Sequence, residues 1–211
     1  MEFNFKDFSR ILITGGSGFI GSNLILKLLK EHSIKVYNID KLGYAADNYA
    51  IDRFLDESVQ SIKDRYNFIK CDLSNEVKIE SIVKEVKPDL VIHLAAESHV
   101  DNSIIDPKVF IDSNIVGTSN LLSSCLKYYL NLDKNRKKKF RFLHVSTDEV
   151  FGSLSNKEKF SESSKYDPRS PYSASKAGSD HIVKSWFHTY DFPILITNCG
   201  NNYGPGNSPR N

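Results

Sequence analysis

Short apolar runs alternate along the chain with longer segments in which apolar positions recur every three or four residues. The runs at 11–14, 35–39, 67–71, 90–94, 140–146 and 194–197 predict six strands. Ile20, Leu24 and Leu28 stand at i, i+4 and i+8 and predict an amphipathic helix over 19–30. Strands that alternate with helices favour parallel pairing through right-handed crossovers. We therefore expect an α/β fold, a doubly wound parallel sheet with helices on both faces.

Three further helices are predicted from their boundaries and their periodicity. Asn75 can cap a helix that ends at Pro88 and buries Ile79, Ile82, Val83 and Val86. Pro107 can start a long helix through Ile111, Ile115, Leu122 and Leu126. A third long helix spans 172–190, and the polar stretch 153–170 is expected to be a surface loop near the site.

Length and charge narrow the class of protein. A chain of 211 residues with 40% hydrophobic and 26% charged residues suits one large domain, or one and a half, with a sizeable core. The net charge of +2 gives no case for a nucleic-acid or membrane partner. The basic run at 134–139 is expected to be a solvated loop rather than a nucleic-acid patch, because no aromatic platform accompanies it.

The chain carries little sign of secretion or of a metal site. The chain has three widely spaced cysteines, Cys71, Cys125 and Cys199. An odd number at such spacings favours neither a disulfide framework nor a zinc site and suits a reduced cytoplasmic chain. The first ten residues hold no apolar run typical of a signal peptide, and no stretch approaches the ~20 apolar residues of a membrane span. The side chains of His93, His99 and His144 are expected to be structural, and no metal is expected.

The first predicted strand runs into the glycine-rich segment TGGSGFIGS, in which Gly15, Gly18 and Gly21 are spaced as G-x-x-G-x-x-G. Glycines there allow a tight turn and a close approach of a pyrophosphate, which the next helix meets with its N–H groups. Asp40 follows nineteen residues after Gly21, where a carboxylate can bind both ribose hydroxyls and repel a 2′-phosphate. This context predicts a Rossmann-type dinucleotide site and favours NAD over NADP, although the adjacent Lys41 weakens that preference.

Two other strand ends have a functional and a structural interpretation. Asp72 and Leu73 end the third strand, where an adenine would lie, but Asp72 is equally well explained as the cap of a turn or helix. Leu94, Ala95 and Ala96 end the fourth strand, and their small side chains would leave room for a cofactor or for close helix packing.

Two motifs late in the chain carry the chemistry. Tyr172 and Lys176 stand at i, i+4 and share one helix face. A tyrosine of pKa ~10 becomes a base near neutrality when an ammonium and a positive nicotinamide ring stabilise its anion. Asp148 and Glu149 form an acid pair, and close carboxyl groups can hold opposite protonation states, as elimination of water requires.

The motifs TGGSGFIGS, NIDKLGYA, HLAAESHVDNSI, HVSTDEVFG, YSASKAGSD and NNYGP resemble the extended short-chain dehydrogenase/reductase family over residues 10–205. The acid pair and the ESHVD segment resemble its nucleoside-diphosphate-glucose 4,6-dehydratase branch. Such enzymes use NAD catalytically: they oxidise C4 of the sugar, eliminate water across C5 and C6, and return the hydride to C6. The resemblance implies dTDP- or UDP-glucose as substrate.

By this resemblance, Tyr172 would be the base at O4, and Lys176 would tune it and hold the nicotinamide ribose. Thr147 would hydrogen-bond the C4 oxygen, Asp148 would donate a proton to the leaving hydroxyl, and Glu149 would take the C5 proton. Both acids reach one substrate only if the strand is already turning there.

The other expected contacts follow from the same resemblance and from the dinucleotide motif. The substrate would also touch Ser98 and Asn201. The cofactor would be held by Gly15, Gly18, Phe19, Ile20, Gly21, Asp40, Lys41, Leu42, Asp72, Leu73, Leu94, Ala95, Ala96, Ser98, Ser113, Tyr172, Lys176 and Asn202. The resemblance also implies a homodimer formed through a four-helix bundle, from the helices after Pro107 and at Tyr172.

The chain departs from the family pattern at its end. Gly200 stands where the family usually has Ser, and the tail GNSPRN differs from the usual continuation. Family members continue into a smaller lobe, so residues 1–198 are expected to form the NAD-binding domain and 199–211 the start of a truncated substrate lobe. The chain is then a fragment, a truncated product or a naturally short form. An epimerase or decarboxylase of the same family, or an inactive NAD-binding fragment, are the alternatives.

Overall fold

Six parallel strands form one sheet in the order β3-β2-β1-β4-β5-β6 in the computed structural model, which describes residues 5–155 and 159–205. The strands are β1 (Arg10–Thr14), β2 (Lys35–Asp40), β3 (Tyr66–Lys70), β4 (Leu90–His93), β5 (Arg141–Thr147) and β6 (Ile194–Cys199). The chain order reverses between β1 and β4, and in such sheets ligands bind where the order reverses. The predicted doubly wound parallel sheet is confirmed.

Helices connect every pair of successive strands. They are α1 (Phe19–Glu31), α2 (Tyr49–Asp56), α3 (Gln60–Lys63), α4 (Glu76–Val86), α5 (Val100–Ile105), α6 (Pro107–Phe110), α7 (Gly117–Leu130), α8 (Lys134–Lys139) and α9 (Pro171–Tyr190). A π-helical stretch (Ile111–Val116) joins α6 to α7, and 3₁₀ turns lie at Phe5–Asp7 and Asp148–Phe151. The six predicted strands and the predicted start of α4 are confirmed, with Asn75 accepting the Lys78 N–H at its N-cap.

Apolar cores lie on the two faces of the sheet. Successive residues of a strand point to opposite faces, so Leu12 belongs to one core, and Ile11 and Ile13 belong to the other. Residues of α4, α7 and α9 fill the first core, and residues of α1 and α2 fill the second. Both faces are therefore covered, and functional side chains are left to the edges of the sheet.

The apolar stripe predicted for α1 is confirmed at Leu24 and Leu28, which pack in the core, but not at Ile20. Ile20 is 39% exposed, whereas the buried positions are Gly21, Ile25, Leu28 and Leu29. The reason is the close approach of Gly21 to the glycine loop, which turns that side of the helix inward. Ile20 therefore stands at the open edge of the sheet.

One other expectation is wrong, and a second is confirmed with a change in its middle. The basic run at 134–139 is not a loop but α8, because Asp133 accepts the N–H groups of Asn135 and Arg136 and caps it. The helix that starts at Pro107 runs to Leu130, as predicted, but its middle, Ile111–Val116, is π-helical and leaves Ile111 48% exposed. A π stretch inside an α-helix frequently marks a functional site.

Candidate active site at the carboxyl edge of the sheet

Parallel pairing brings the carboxyl ends of all six strands to one edge of the sheet. The predicted site residues follow these ends: the glycine loop follows β1, Asp40 ends β2, and Thr147 ends β5. Helix α9, which carries Tyr172 and Lys176, packs against β5, β6 and the turn Asp148–Phe151. The fold thus gathers on one edge most of the residues that the sequence predicted separately.

At Gly15 and Gly21 the glycine loop lies so close to its neighbours that a side chain is excluded. Gly15 has φ +73, and a Cβ there would lie 2.5 Å from the backbone nitrogen of Ala95. A Cβ on Gly21 would lie 2.3 Å from the carbonyl oxygen of Gly15. The first turn of α1 can therefore face the loop directly and leave a backbone cradle whose N–H groups suit a pyrophosphate.

Asp40 is fixed beside this cradle. Its side chain is 7% exposed, and its two oxygens accept the N–H groups of Ser17 at 3.0 Å and Leu42 at 2.8 Å. Leu42 itself has φ +56, which lets the chain turn back over the carboxylate. A fixed carboxylate at the end of β2 is what adenosine ribose hydroxyls require, so the residues present fit a dinucleotide.

The Lys41 ammonium is held in an ion pair. Its Nζ lies 2.5 Å from Oε1 of Glu97, which belongs to the segment after β4. Glu97 is held in turn by Asn114, which accepts its N–H at 2.8 Å and donates to its carbonyl oxygen at 3.0 Å. Sequence reasoning missed both Glu97 and Asn114.

The π-helical stretch explains why Asn114 was missed. Its side chain is 1% exposed and also donates to Ser175 Oγ at 2.9 Å, so it ties the segment after β4 to α9. The available signal was a polar residue inside a helix of apolar periodicity. Ser98 and Ser113 each adjoin this pair in sequence, which brings the two predicted contacts into one neighbourhood.

The end of β3 forms one wall of a shallow pocket. The pocket is lined by Lys41, Gly43, Lys70, Cys71, Asp72, Asn75 and Lys78. The Asp72 carboxylate accepts the N–H of Ser74 at 2.8 Å, which is the turn-capping role that the sequence left open. Leu73 is 7% exposed, belongs to the core and does not line the pocket.

The acid pair lies where β5 ends. The strand stops at Thr147, and Asp148 and Glu149 begin a 3₁₀ turn in which Thr147 Oγ1 accepts the Glu149 N–H at 3.2 Å. The chain therefore turns at the acid pair, as shared access to one substrate requires. Burial raises the pKa of Glu149, and the neighbouring Asp148 charge raises it further.

The start of α9 positions the Tyr-Lys pair. Ser170 and Ser173 form a reciprocal capping box there, and the Tyr172 N–H donates to Ser103 Oγ at 3.0 Å. The Tyr172 side chain is 8% exposed, and Lys176 Nζ donates to the Val145 carbonyl at 2.9 Å. Burial lowers the pKa of Lys176 to about 8, although the negative Asp180 opposes this.

The polar stretch 153–170, whose residues 156–158 lie outside the described part of the chain, packs on the turn that carries the acid pair. Phe160 and Tyr166 contact the Phe151 ring, with centroids 5.3 and 5.2 Å away. The Asp167 N–H donates to the Val150 carbonyl at 3.0 Å. In the described parts of this stretch, 153–155 and 159–170, no helix or strand forms.

The buried histidines have structural partners. Thr118 donates to the Asn114 carbonyl, so His93 Nε2 donates to Thr118 Oγ1 at 2.9 Å and His93 Nδ1 accepts from Thr14 Oγ1 at 2.7 Å. Burial keeps the pKa of His93 well below its usual range, with smaller contributions from His144 and Lys176. His99 caps α5. Within residues 5–155 and 159–205, no cluster of three potential metal ligands occurs.

The segment after β6 runs along the same edge. A Cβ on Gly200 would lie 3.4 Å from Asp148 Oδ2, and one on Gly204 would lie 3.9 Å from the Phe19 ring. Asn201 and Asn202 are exposed between these points, and Asn202 donates to the Gly200 carbonyl at 3.1 Å. The two asparagines thus stand between the acid pair and the start of α1. The tail after Pro205 lies outside the described residues.

Residues 12–210 match the family model described as GDP-mannose 4,6 dehydratase. The chain is 46% identical over 212 residues to dTDP-glucose 4,6-dehydratase of Salmonella typhimurium, covering 95% of this chain and 56% of that protein. It is 50% identical over 195 residues to the enzyme of the same name from Haemophilus influenzae, covering 92% and 56%. The chain thus spans little more than half the length of these relatives.

Solved structures agree with this similarity. The dTDP-glucose 4,6-dehydratase of Streptomyces venezuelae with NAD bound gives a TM-score of 0.80 at 37% identity, over 93% of this chain and 57% of that one. The Thermus thermophilus UDP-glucose 4-epimerase with NAD gives 0.79 at 28% identity, over 95% and 58%.

Among the described residues, none of the helices combines the length and apolar character needed to cross a membrane.

Proposed function

This chain belongs to the family described as GDP-mannose 4,6 dehydratase, and from that premise we propose that it is the cofactor-binding and catalytic part of a dTDP-glucose 4,6-dehydratase. The observation that carries the proposal is the packing of α9, with Tyr172 and Lys176, against the turn that presents Asp148 and Glu149. Oxidation and elimination can then occur on one bound sugar. The similarity to curated enzymes of that name supports the same conclusion.

NAD is the cofactor that the residues fit. The glycine cradle would hold its pyrophosphate, Asp40 its adenosine ribose, and the pocket at the end of β3 its adenine. Ion pairing with Glu97 draws Lys41 away from a 2′-phosphate, which supports NAD over NADP. Held by these residues, NAD would supply the acceptor for the hydride from C4 of the sugar and the donor for its return at C6.

Tyr172 and Lys176 would carry out the proton transfer of the oxidation step. Tyr172 accepts the proton of the C4 hydroxyl, and Thr147 Oγ1 hydrogen-bonds the same oxygen. For this the pKa of a tyrosine must fall from ~10 toward neutrality, and the Lys176 ammonium favours the tyrosinate. Lys176 is itself 4% exposed, so its charge acts in a low dielectric.

The acid pair would carry out the elimination. Once C4 is a ketone, the hydrogen on C5 is acidic, and Glu149 accepts that proton. Asp148 donates a proton to the C6 hydroxyl, which leaves as water. The raised pKa of Glu149 makes it a stronger base than an ordinary glutamate, because partial burial and the neighbouring Asp148 charge disfavour its ionised form.

The nucleotide would be read by groups outside the described site. We propose that residues 1–198 form the NAD-binding domain and that 199–211 begin the substrate lobe, whose remaining part the relatives possess. Ser98 and Asn201 would contact the sugar from this chain. The names of the similar enzymes favour dTDP over UDP as the carrier.

The chain would act as a homodimer in the cytoplasm. Ile105, Val109 and Val116 are 82%, 41% and 41% exposed on the segment from α5 to the π-helical stretch. Phe187 on α9 is 46% exposed. Exposed apolar side chains on two neighbouring helices support a four-helix interface between two copies. The free thiols of Cys71, Cys125 and Cys199 support a reducing compartment.

Mass spectrometry of the chain incubated separately with dTDP-glucose and UDP-glucose tests the proposal. A product lighter by one water, formed faster from dTDP-glucose, is expected. Tyr172→Phe should abolish it, whereas Tyr190→Phe, at the exposed end of the same helix, should leave it unchanged. A product of unchanged mass with an altered sugar configuration would instead show an epimerase. If no product forms while NAD binds, the chain is a cofactor-binding fragment.

A further inference from the structure

Asp180 is a buried carboxylate that the proposed mechanism does not use. It lies one helical turn after Lys176 on α9, and its side chain has no exposed surface. A charge buried this deeply is costly unless donors surround it. Four donors do so: His144 Nε2 at 3.1 Å, Ser146 Oγ at 2.9 Å, Tyr166 Oη at 3.0 Å and Asn198 Nδ2 at 3.3 Å.

These donors come from three parts of the chain that surround the active site. His144 and Ser146 belong to β5, just before the Thr147 end, and Asn198 belongs to β6. Asn198 also donates to the Thr147 carbonyl at 3.2 Å. Tyr166 belongs to the stretch that packs on Phe151. The Asp180 carboxylate therefore joins α9 to the strand end that presents the acid pair.

Asp180 also supplies the negative charge that opposes the burial of Lys176. The Lys176 ammonium is enclosed and donates to the Val145 carbonyl, and burial alone favours its neutral form. Burial raises the pKa of Asp180, but donors on His144 and Ser146 and the Lys176 charge outweigh this and lower it. Both groups are therefore ionised together.

The other titratable groups around this pair do not replace either charge. His144 donates from Nε2 to Asp180 and, being buried beside Lys176, has a pKa of about 4, so it is neutral. His93 is neutral as well. Tyr166 stays protonated, since burial raises its pKa, and Lys184 Nζ donates to its hydroxyl at 2.9 Å. Cys199 on β6 lies nearby and favours the Lys176 ammonium.

We propose that Asp180 is a positioning residue of the active site, whose carboxylate keeps Lys176 protonated and anchors the end of β5 that presents Thr147. Its importance for turnover rests on the proposed function, because it acts through Lys176 and Thr147 and touches no reacting atom. Its effect on Lys176 is independent of that function and can be measured on the chain alone.

The test follows the ionisation of Lys176 by NMR of the chain labelled with ¹³C at lysine Cε. In the native chain Lys176 is expected to titrate near pH 8. In Asp180→Asn, which keeps the size of the side chain, the midpoint should fall by about one pH unit or more. Tyr166→Phe removes one donor but leaves the charge, and its midpoint should equal the native one. An equal midpoint in Asp180→Asn and the native chain would overturn the proposal.

A reciprocal measurement covers the case in which Asp180→Asn does not fold. Coupling between two sites acts equally in both directions, so Lys176→Met must raise the pH at which Asp180 protonates. NMR of ¹³C-labelled aspartate carboxyls measures this directly. An unchanged Asp180 midpoint would contradict the proposal without any need for the other variant.

Turnover separates this inference from the proposed function. With dTDP-glucose, Asp180→Asn should lose activity at a lower pH than the native chain, with KM unchanged, while Tyr166→Phe keeps the native profile. A native pH profile in Asp180→Asn would overturn the role in turnover. If the native chain forms no product, the proposed function fails, and the two NMR midpoints still decide whether Asp180 controls Lys176.

Discussion

Lys41 and Glu97 form an ion pair across the cofactor edge, with 2.5 Å between Nζ and Oε1. Lys41 follows β2 and Glu97 follows β4, so the pair spans the two strands that flank β1 and its glycine loop. Glu97 is in turn held by Asn114 of the π-helical stretch. The position of the Lys41 ammonium thus depends on a helix distant in sequence.

We predict that Glu97→Gln weakens the preference for NAD over NADP. The released Lys41 ammonium can then approach a 2′-phosphate, and we expect the ratio of the two Kd values to shift about tenfold toward NADP. Isothermal titration with each nucleotide measures this ratio. Lys41→Gln is the matched control, because it removes the cation and should keep or increase the preference for NAD. A shift of the same size in both variants would contradict this explanation.

Gly21 and Gly18 should differ in their tolerance of alanine. A Cβ on Gly21 would lie 2.3 Å from the Gly15 carbonyl oxygen, whereas one on Gly18 would lie 3.4 Å from it. Gly21→Ala must displace backbone and should lower the free energy of unfolding by about 1–3 kcal/mol. Gly18→Ala should cost less than about 1 kcal/mol. Urea unfolding without cofactor compares them, and equal losses would show that close approach is not the cause.

Neutralising Glu149 should stabilise the fold at neutral pH. Its pKa is raised, so between its ordinary value of ~4.3 and the raised value the native state binds more protons than the unfolded state. Stability then falls as pH rises through that window. Glu149→Gln should be more stable than the native chain at pH 7, by roughly a few tenths of a kcal/mol, and equal to it near pH ~3.

Thermal unfolding at the two pH values tests the Glu149 prediction. Glu85→Gln, on the exposed side of α4, is the control and should change stability little at either pH. A gain for Glu149→Gln that persists at the acidic pH would point to packing rather than charge. The same variant should form no dehydrated product, because the amide side chain cannot accept the C5 proton.

A charge in the apolar stripe of α6 should abolish the proposed dimer. Val109 is 41% exposed, and Val109→Asp would place a carboxylate in the interface at a cost of several kcal/mol. Val77 on α4 is 83% exposed and lies outside the two helices concerned, so Val77→Asp is the control. Analytical ultracentrifugation should show a monomer for the first variant and a dimer for the second. If both variants remain dimers, the interface does not include Val109 and lies elsewhere.

The periodicity of the chain was enough to predict the sheet. Parallel strands that are buried on both faces are nearly continuous apolar runs, whereas the helices that connect them have apolar residues every three or four positions. The local sequence was therefore enough to distinguish strands from helices. Glycine spacing also predicted the cradle. At Gly15 and Gly21 the neighbouring backbone lies so close that a residue with a Cβ atom would clash with it. The Tyr-Lys pair was recognised because i, i+4 spacing defines one helix face.

Tertiary structure alone decided how these parts act together. Asn114 in the π-helical stretch donates hydrogen bonds to Glu97 and Ser175, which are distant in sequence, so no local period could predict these contacts. The same holds for Asp180, whose four donors come from β5, β6 and the stretch 159–170. Local patterns determine which residues form an element, whereas the charge of Lys176 depends on burial and partners that exist only after the elements pack.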